Sequence, residues 1–470
     1  MRRCLTLFLS LAMCWCAGAR AADAGAKRNV LLIMVDDMNN DLGCYGHPIV
    51  KSPHIDRLAR RGTRFDRAYC QYPLCNPSRV SMLSGLRPDQ TRVYDLETPP
   101  RSMLSDAVFL PQYFRQQGYR AVHIGKIFHT GEAFEDPASW DAETRETGKQ
   151  PPASAVVRSQ KIERPQKYTI EWAVLNSDDA DTADGVVARK GAALLKELAA
   201  GGQPFFAAIG FRRPHAPYAA PQKYFDKYPP TSIPPLEDPA EHLKRIPEAA
   251  FTYPPGTHPI NPSERQQAVA AYYACISFVD AQIGVLLDAM DALDLWHDTV
   301  VVFMSDHGYH LGEHGGMWHK MSVFEPSARV PVIVASPETR PGQVCPALVE
   351  LVDIYPTLVD LCGLPARKNL AGHSLRALLD NPTSRWSEAA YTQVRHGETM
   401  GRSVRTARWR YTEWDGGRRG LELYDHDRDP GELNNLADDP KLADVRASLS
   451  SMLERTRSAA AATGSAAGAP

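Results

Sequence analysis

A cysteine stands directly before a helix signal in Cys75-Asn76-Pro77-Ser78-Arg79, which continues into Val80-Ser81-Met82-Leu83-Ser84-Gly85. Asn is a good helix N-cap and Pro suits the first helical position, so the spacing predicts a helix beginning just after Cys75. The cysteine side chain would then lie against unpaired N–H groups and the positive helix end, which favour a developing anion. Taken alone, the same residues describe a buried thiol ahead of an ordinary capped helix. Other chemistry-bearing residues follow short apolar runs. Asp36-Asp37 follows residues 29–35, Lys126 and His129 follow 119–124, His215 follows 204–210, and Asp306-His307 follows 299–304.

The run over 29–35 is continuously apolar rather than alternating, as expected for a strand buried on both faces of a parallel sheet, and 299–304 repeats its logic. Open α/β sheets bind their ligands beyond the carboxyl ends of such strands. Each residue has a bland reading by itself: a polar strand exit, a solvated lysine, a loop histidine stiffened by prolines. Their repetition at four strand ends predicts one composite site.

The fold class expected is α/β, a large, mixed, mostly parallel sheet flanked by helices, with a smaller C-terminal antiparallel sheet plus helix. The longest helical pattern covers residues 268–290, with Tyr272, Cys275, Ile276, Val279 and Ile283 on one apolar stripe. Residues 131–168 are polar and aperiodic and read as an excursion over the sheet surface. Past residue 365 the texture shifts to short alternating strands and then a helix over 442–457. The organisation predicted is a signal peptide at 1–21, a catalytic domain at 22–365, a C-terminal subdomain at 366–457 and a disordered Ala/Gly/Ser tail at 458–470.

The chain has 470 residues, 43% hydrophobic and 23% charged, with a net charge of -2. That balance and the lack of a dense basic stripe argue against a nucleic-acid partner. Arg2-Arg3, the short apolar run after them and Ala19-Arg20-Ala21 read as an export signal, so a periplasmic or secreted protein is expected. No later run is long and uniformly apolar enough to predict a membrane span. Cys44, Cys70, Cys75, Cys275, Cys345 and Cys362 lie beyond the signal without zinc-like spacing, and no disulfide-built scaffold is expected.

The chain resembles the type I sulfatases of the alkaline phosphatase superfamily, in particular their iduronate-2-sulfatase-like group. The resemblance rests on Leu31-Leu32-Ile33-Met34-Val35-Asp36-Asp37, Cys75-Asn76-Pro77-Ser78-Arg79, Gly125-Lys126-Ile127-Phe128-His129 and Arg213-Pro214-His215-Ala216-Pro217-Tyr218. The run from Ser305-Asp306-His307-Gly308 to Gly315, with Lys320, extends it, as do Gly401 to Thr406 and Tyr424 to Asn435. It implies that Cys75 is oxidised to formylglycine, an aldehyde whose hydrate is the nucleophile, by a separate formylglycine-generating enzyme. It implies metal ligation by Asp36, Asp37, Cys75, Asp306 and His307. Three carboxylates suit a hard cation, Ca²⁺ by resemblance, with Mg²⁺ the alternative.

The resemblance further implies that Lys126 and Lys320 neutralise sulfate oxygens, and that Arg79 holds the hydrate. By the same resemblance His129 assists loss of the second hydroxyl proton. A sugar alkoxide leaves poorly, and His215, with Lys320 nearby, is the expected proton donor. Arg395 and His396, and also His310, His314 and His319, could reach substrate. The substrate expected is a sulfated carbohydrate, a 2-O-sulfated uronate first and another glycan such as an algal polysaccharide second. A phosphoester or phosphonate hydrolase and a non-catalytic carbohydrate-binding relative are the competing readings.

Overall fold

The computed structural model describes residues 27–144, 152–163, 169–236, 238–254, 260–387 and 389–466. The export signal read at 1–21 lies outside the described residues.

Every residue of β1 (Asn29–Asp36) is buried. Leu31, Ile33 and Val35 enter one apolar layer while Val30, Leu32 and Met34 enter the other. Both faces are covered, which is why the run shows no polar alternation. The remaining strands of this sheet are β2 (Thr63–Tyr69), β3 (Arg120–Gly125), β4 (Ala142–Thr144), β5 (Phe205–Pro214), β6 (Thr299–Ser305), β7 (Arg329–Ala335) and β8 (Gln343–Glu350). Their spatial order is β8-β2-β7-β6-β1-β5-β3-β4. All neighbours pair in parallel except β7, which runs against both β6 and β2. The sheet is mixed and mostly parallel, as its apolar runs imply.

Helices cover both faces. Pro53–Arg61, Ala183–Ala200 and Pro262–Ala292 pack in the first layer; Cys75–Ser84, Leu110–Gln116 and Ile354–Leu361 pack in the second. Among the described residues Pro262–Ala292 is long and apolar enough to cross a membrane, yet it is buried in the core. It starts earlier than its apolar stripe because Asn261 and Glu264 form a reciprocal capping box there.

The excursion after β3 contains more strand than its sequence suggests. Ala142–Thr144 extends the main sheet at its edge, and Val156–Ile162 pairs with Ile170–Leu175, which pairs with Tyr218–Pro221. Val156–Ile162 is largely exposed, so pairing rather than apolar patterning makes it a strand.

The C-terminal part is a four-stranded antiparallel meander of Ala389–His396, Thr399–Thr406, Trp409–Trp414 and Leu421–Asp425. Val404, Tyr411 and Leu423 pack on Leu449 and Leu453 of the helix Ala443–Ala466. That helix continues past Arg457, where the sequence predicts a disordered tail. Alanine is the best helix former, and Ala460 is buried; residues 467–470 lie outside the described residues.

Candidate active site

Register brings the strand ends level: Val35 lies beside Ser305, Asp36 beside Pro214, and Gly125 beside Gly210. Asp36-Asp37, Asp306-His307, His215 and Lys126 therefore leave the sheet at one edge. The Gly125–Gly210 approach is so close that a Cβ on either glycine would strike backbone of the other strand or of Lys126. Lys126 keeps its place through an N–H bond to the Gly210 carbonyl, 3.0 Å.

Cys75 is itself the first residue of its helix, with Leu74 as the extended N-cap. The sequence places the cap at Asn76; instead the Asn76 side chain donates to the carbonyls of Asp95 and Thr98, both at 2.9 Å. Because Leu74 holds the cap position, Asn76 falls inside the first turn rather than before it. The Cys75 Sγ lies 3.3 Å from Asp36 Oδ1 and 3.3 Å from His307 Nε2. One turn on, the fully buried Arg79 donates through Nε to Asp306 Oδ2 at 2.8 Å, and through Nη1 to the carbonyls of Lys126 and Ile127 at 2.7 and 2.9 Å. Its Nη2 lies 3.5 Å from Asp36 Oδ1 and makes no hydrogen bond among the described residues. Burial opposes the guanidinium charge, but Asp306 and Asp36 outweigh it and hold the group protonated.

Asp36 pairs with Lys126, and Asp37 Oδ1 accepts from Lys320 Nζ at 2.6 Å. Burial would raise both carboxyls, but the surrounding cations reverse it. Lys126, His215 and Arg79 hold Asp36 well below the usual carboxylate range, and His215, Lys320 and His307 lower Asp37. Burial likewise works against the Lys320 charge, and Asp37 overrides it. His215 Nε2 stands 3.8 Å from Asp37 Oδ2, while its Nδ1 is 2.6 Å from the Ala216 carbonyl. The carboxylate of Asp184 fixes that loop by accepting the N–H groups of Arg212 and Arg213, each at 2.8 Å.

His129 is half-buried, with its Nδ1 unbonded among the described residues. Burial, then the charges of Lys126 and Arg79, push its pKa down to about 4. It is a neutral imidazole at physiological pH.

The cluster can hold a metal ion. Asp36, Cys75, Asp306 and His307 each offer a ligand atom, all within 4.8 Å of one another. His307 Nδ1 faces the Gly308 carbonyl at 2.9 Å, which can only accept, so Nδ1 carries the proton and Nε2 keeps its lone pair for the site. Asp37 Oδ1 adjoins the group, 3.4 Å from His307 Nε2.

Several supporting residues carry no signal in the sequence. Ser305 Oγ accepts from the Met38 N–H at 3.0 Å and donates to the His307 carbonyl at 2.8 Å. Ser78 Oγ donates to the Asp306 carbonyl, and Tyr272 supports Asp37 from the long core helix. The extra histidines divide differently from expectation. His310 is buried against Ser322, and His314 is buried and stacked on Phe324 with ring centroids 4.0 Å apart. Packing claims both rings. His319 Nδ1 shares a hydrogen bond with the Tyr309 hydroxyl at 2.8 Å. His396 has both ring nitrogens on backbone carbonyls, whereas Arg395 stays partly exposed, 3.6 Å from Asp95. The six described cysteines are all unpaired.

The carboxylates, the thiol and the imidazole thus meet in one buried cluster at the carboxyl edge of the sheet. A family model described as Sulfatase matches residues 28–364, and one described as N-sulphoglucosamine sulphohydrolase, C-terminal, matches residues 312–459. The iduronate 2-sulfatase of Mus musculus is 31% identical, covering 90% of this chain and 93% of its own. A sulfatase of Formosa agariphila is 34% identical, with 92% and 87% covered. A solved 2-O GAG sulfatase superposes with a TM-score of 0.72 at 25% identity over 93% of each chain. The phosphonate monoester hydrolase of Agrobacterium radiobacter shares the fold, with a TM-score of 0.77 at 24% identity over 92% and 96%. The chain belongs to the sulfatase family and is a sulfuric ester hydrolase.

Proposed function

We propose that this sulfatase desulfates a carbohydrate, preferring a 2-O-sulfated uronate, with a nucleophile matured from Cys75 and one divalent cation, Ca²⁺ before Mg²⁺. The observation that carries the nucleophile is the buried Cys75 Sγ at 3.3 Å from both Asp36 Oδ1 and His307 Nε2. The substrate reading is supported by the iduronate 2-sulfatases of Mus musculus and Homo sapiens, which align along 90% and 89% of this chain. The solved 2-O GAG sulfatase points the same way.

As formylglycine, residue 75 would supply an aldehyde hydrate: one hydroxyl displaces the alcohol at sulfur, and the second, on losing its proton, re-forms the aldehyde and releases sulfate. A cation on Asp36, Asp37, Asp306 and His307 would supply positive charge toward the sulfate oxygens. Lys126 and Lys320 add charge from the chain itself, exchanging part of their hold on Asp36 and Asp37 for the ester oxygens. Arg79 Nη2 is the free donor beside residue 75 and orients its oxygen.

The two histidines divide the proton work by environment. His129 is held neutral and accepts a proton. His215, whose Nε2 faces the Asp37 carboxylate at 3.8 Å, donates to the leaving alcohol. Residues 1–21 would direct export, and a formylglycine-generating enzyme would act during maturation.

The test is sulfate release from an unsaturated disaccharide sulfated at uronate O2, from its isomer sulfated only at hexosamine O6, and from a matched phosphate ester. Preference for the first is expected. Preference for the O6 isomer would overturn the uronate assignment, and preference for phosphate would move the chain to the phosphoester reading.

A further inference from the structure

We propose that His396 is a positioning residue of the sulfatase site, whose ring, doubly donating when protonated, ties the C-terminal sheet to the turn carrying Lys320. Its Nδ1 lies 2.9 Å from the Ala249 carbonyl and its Nε2 lies 2.7 Å from the Met321 carbonyl. Carbonyls only accept, and a neutral imidazole has one N–H, so both bonds require the protonated ring. The ring stacks on Trp414, centroids 5.2 Å apart and planes at 27°, a surface that favours a cation.

Met321 is where this bond acts. Its φ is +65°, and that of His319 is +75°, so Lys320 sits between two residues in a left-handed conformation that most side chains avoid. The Met321 N–H donates to the Pro73 carbonyl at 3.0 Å, two residues before Cys75. Its carbonyl also accepts from Thr252 Oγ1 at 3.3 Å. Lys320, immediately before it, holds Asp37. One residue, Met321, thus joins the approach to Cys75, the lysine and His396.

The charged residues on the elements packed around the ring are Arg395 and Glu398 on its own hairpin, Glu248 beside Ala249, Lys320 beside Met321, and Glu422, which accepts the Trp414 indole N–H. Among the described residues the ring nitrogens bond only to the two carbonyls. Burial holds the ring below the ordinary histidine range in spite of the carbonyls that favour its charge. One bond is therefore lost as pH rises, and acid completes the clamp.

The experiment compares the matured full-length enzyme with His396→Asn on 4-nitrophenyl sulfate between about pH 5 and 8. A hydrogen bond from a charged donor is worth about tenfold or more. The expected kcat deficit of His396→Asn is therefore about tenfold at the acid end, shrinking as pH rises, with KM unchanged. A deficit independent of pH, or a raised KM with kcat intact, overturns the proposal. Should the variant not fold, ¹⁵N spectra of histidine-labelled native protein decide. Two N–H signals from His396 in acid, with one lost on raising pH, support the clamp; a singly protonated ring throughout contradicts it.

Discussion

Asp36 and Asp37 are adjacent in the chain, yet their carboxylates contact different side chains: Lys126 and Arg79 for Asp36, Lys320 and His215 for Asp37. The division comes from the backbone. Asp36 is the last residue of an extended strand, whereas Asp37 has φ +63° in the left-handed region. For an L-residue that conformation costs about 1–2 kcal/mol, so the surroundings must hold it.

Tyr272 does much of that holding. Its hydroxyl donates to the Asp37 carbonyl at 2.7 Å and accepts the Asn39 N–H at 2.9 Å. Tyr272→Phe leaves two buried backbone groups unpaired, a loss of about 1–3 kcal/mol in denaturant unfolding. Loosening the turn displaces Asp37, so kcat should fall by about tenfold or more, with a smaller change in KM.

Arg79 is the more severe test. Arg79→Met leaves the buried Asp36 and Asp306 carboxylates without their guanidinium, and the Lys126 and Ile127 carbonyls without a donor. Breaking a buried ion pair from one side costs about 3–5 kcal/mol, to be read from the urea midpoint. Arg79→Lys restores charge but not the fork, and should recover stability only in part.

The strands and their polar exits were legible because burial on both faces keeps most polar residues to the strand ends. Asp36, Lys126, His215 and Asp306 stand out for that reason. What was hidden depends on partners distant in sequence. Asn76 looks like a cap, but the helix already starts at Cys75 and its side-chain amide donates to the Asp95 and Thr98 carbonyls. Val156–Ile162 lacks an apolar face and is a strand only because Ile170–Leu175 lies beside it. His310 and His314 look like substrate ligands in a His-rich run, but Ser322 and Phe324 turn them into packing.

Chelation tests the carboxylate cluster. Without a cation, Asp36, Asp37 and Asp306 repel one another, so removal of divalent ions should lower the melting temperature and abolish turnover. A ligand at a hundred times its Kd stabilises by about 2.7 kcal/mol, and restoring Ca²⁺ should return a shift of that order. Full activity and an unchanged melt after chelation would contradict the assignment.

His314 sets an acid limit on stability. Burial, then the neighbouring His310 charge, push its pKa down to about 3 from the usual 6.5. Between those values the unfolded chain binds the extra proton, so stability rises with pH across this window and falls as the solution is acidified. The slope is at most about 1.4 kcal/mol per pH unit. Between pH 6.5 and 5 the native protein should lose about 1.6 kcal/mol more than His314→Leu, measured by urea unfolding at both values.

The most direct measurement is the mass of the tryptic peptide covering residues 68–79, from protein made in a host able to mature sulfatases. The account predicts a peptide lighter by the conversion of the Cys75 thiol to an aldehyde, together with sulfate-releasing activity that tracks the converted fraction. An unmodified thiol in fully active enzyme would contradict it.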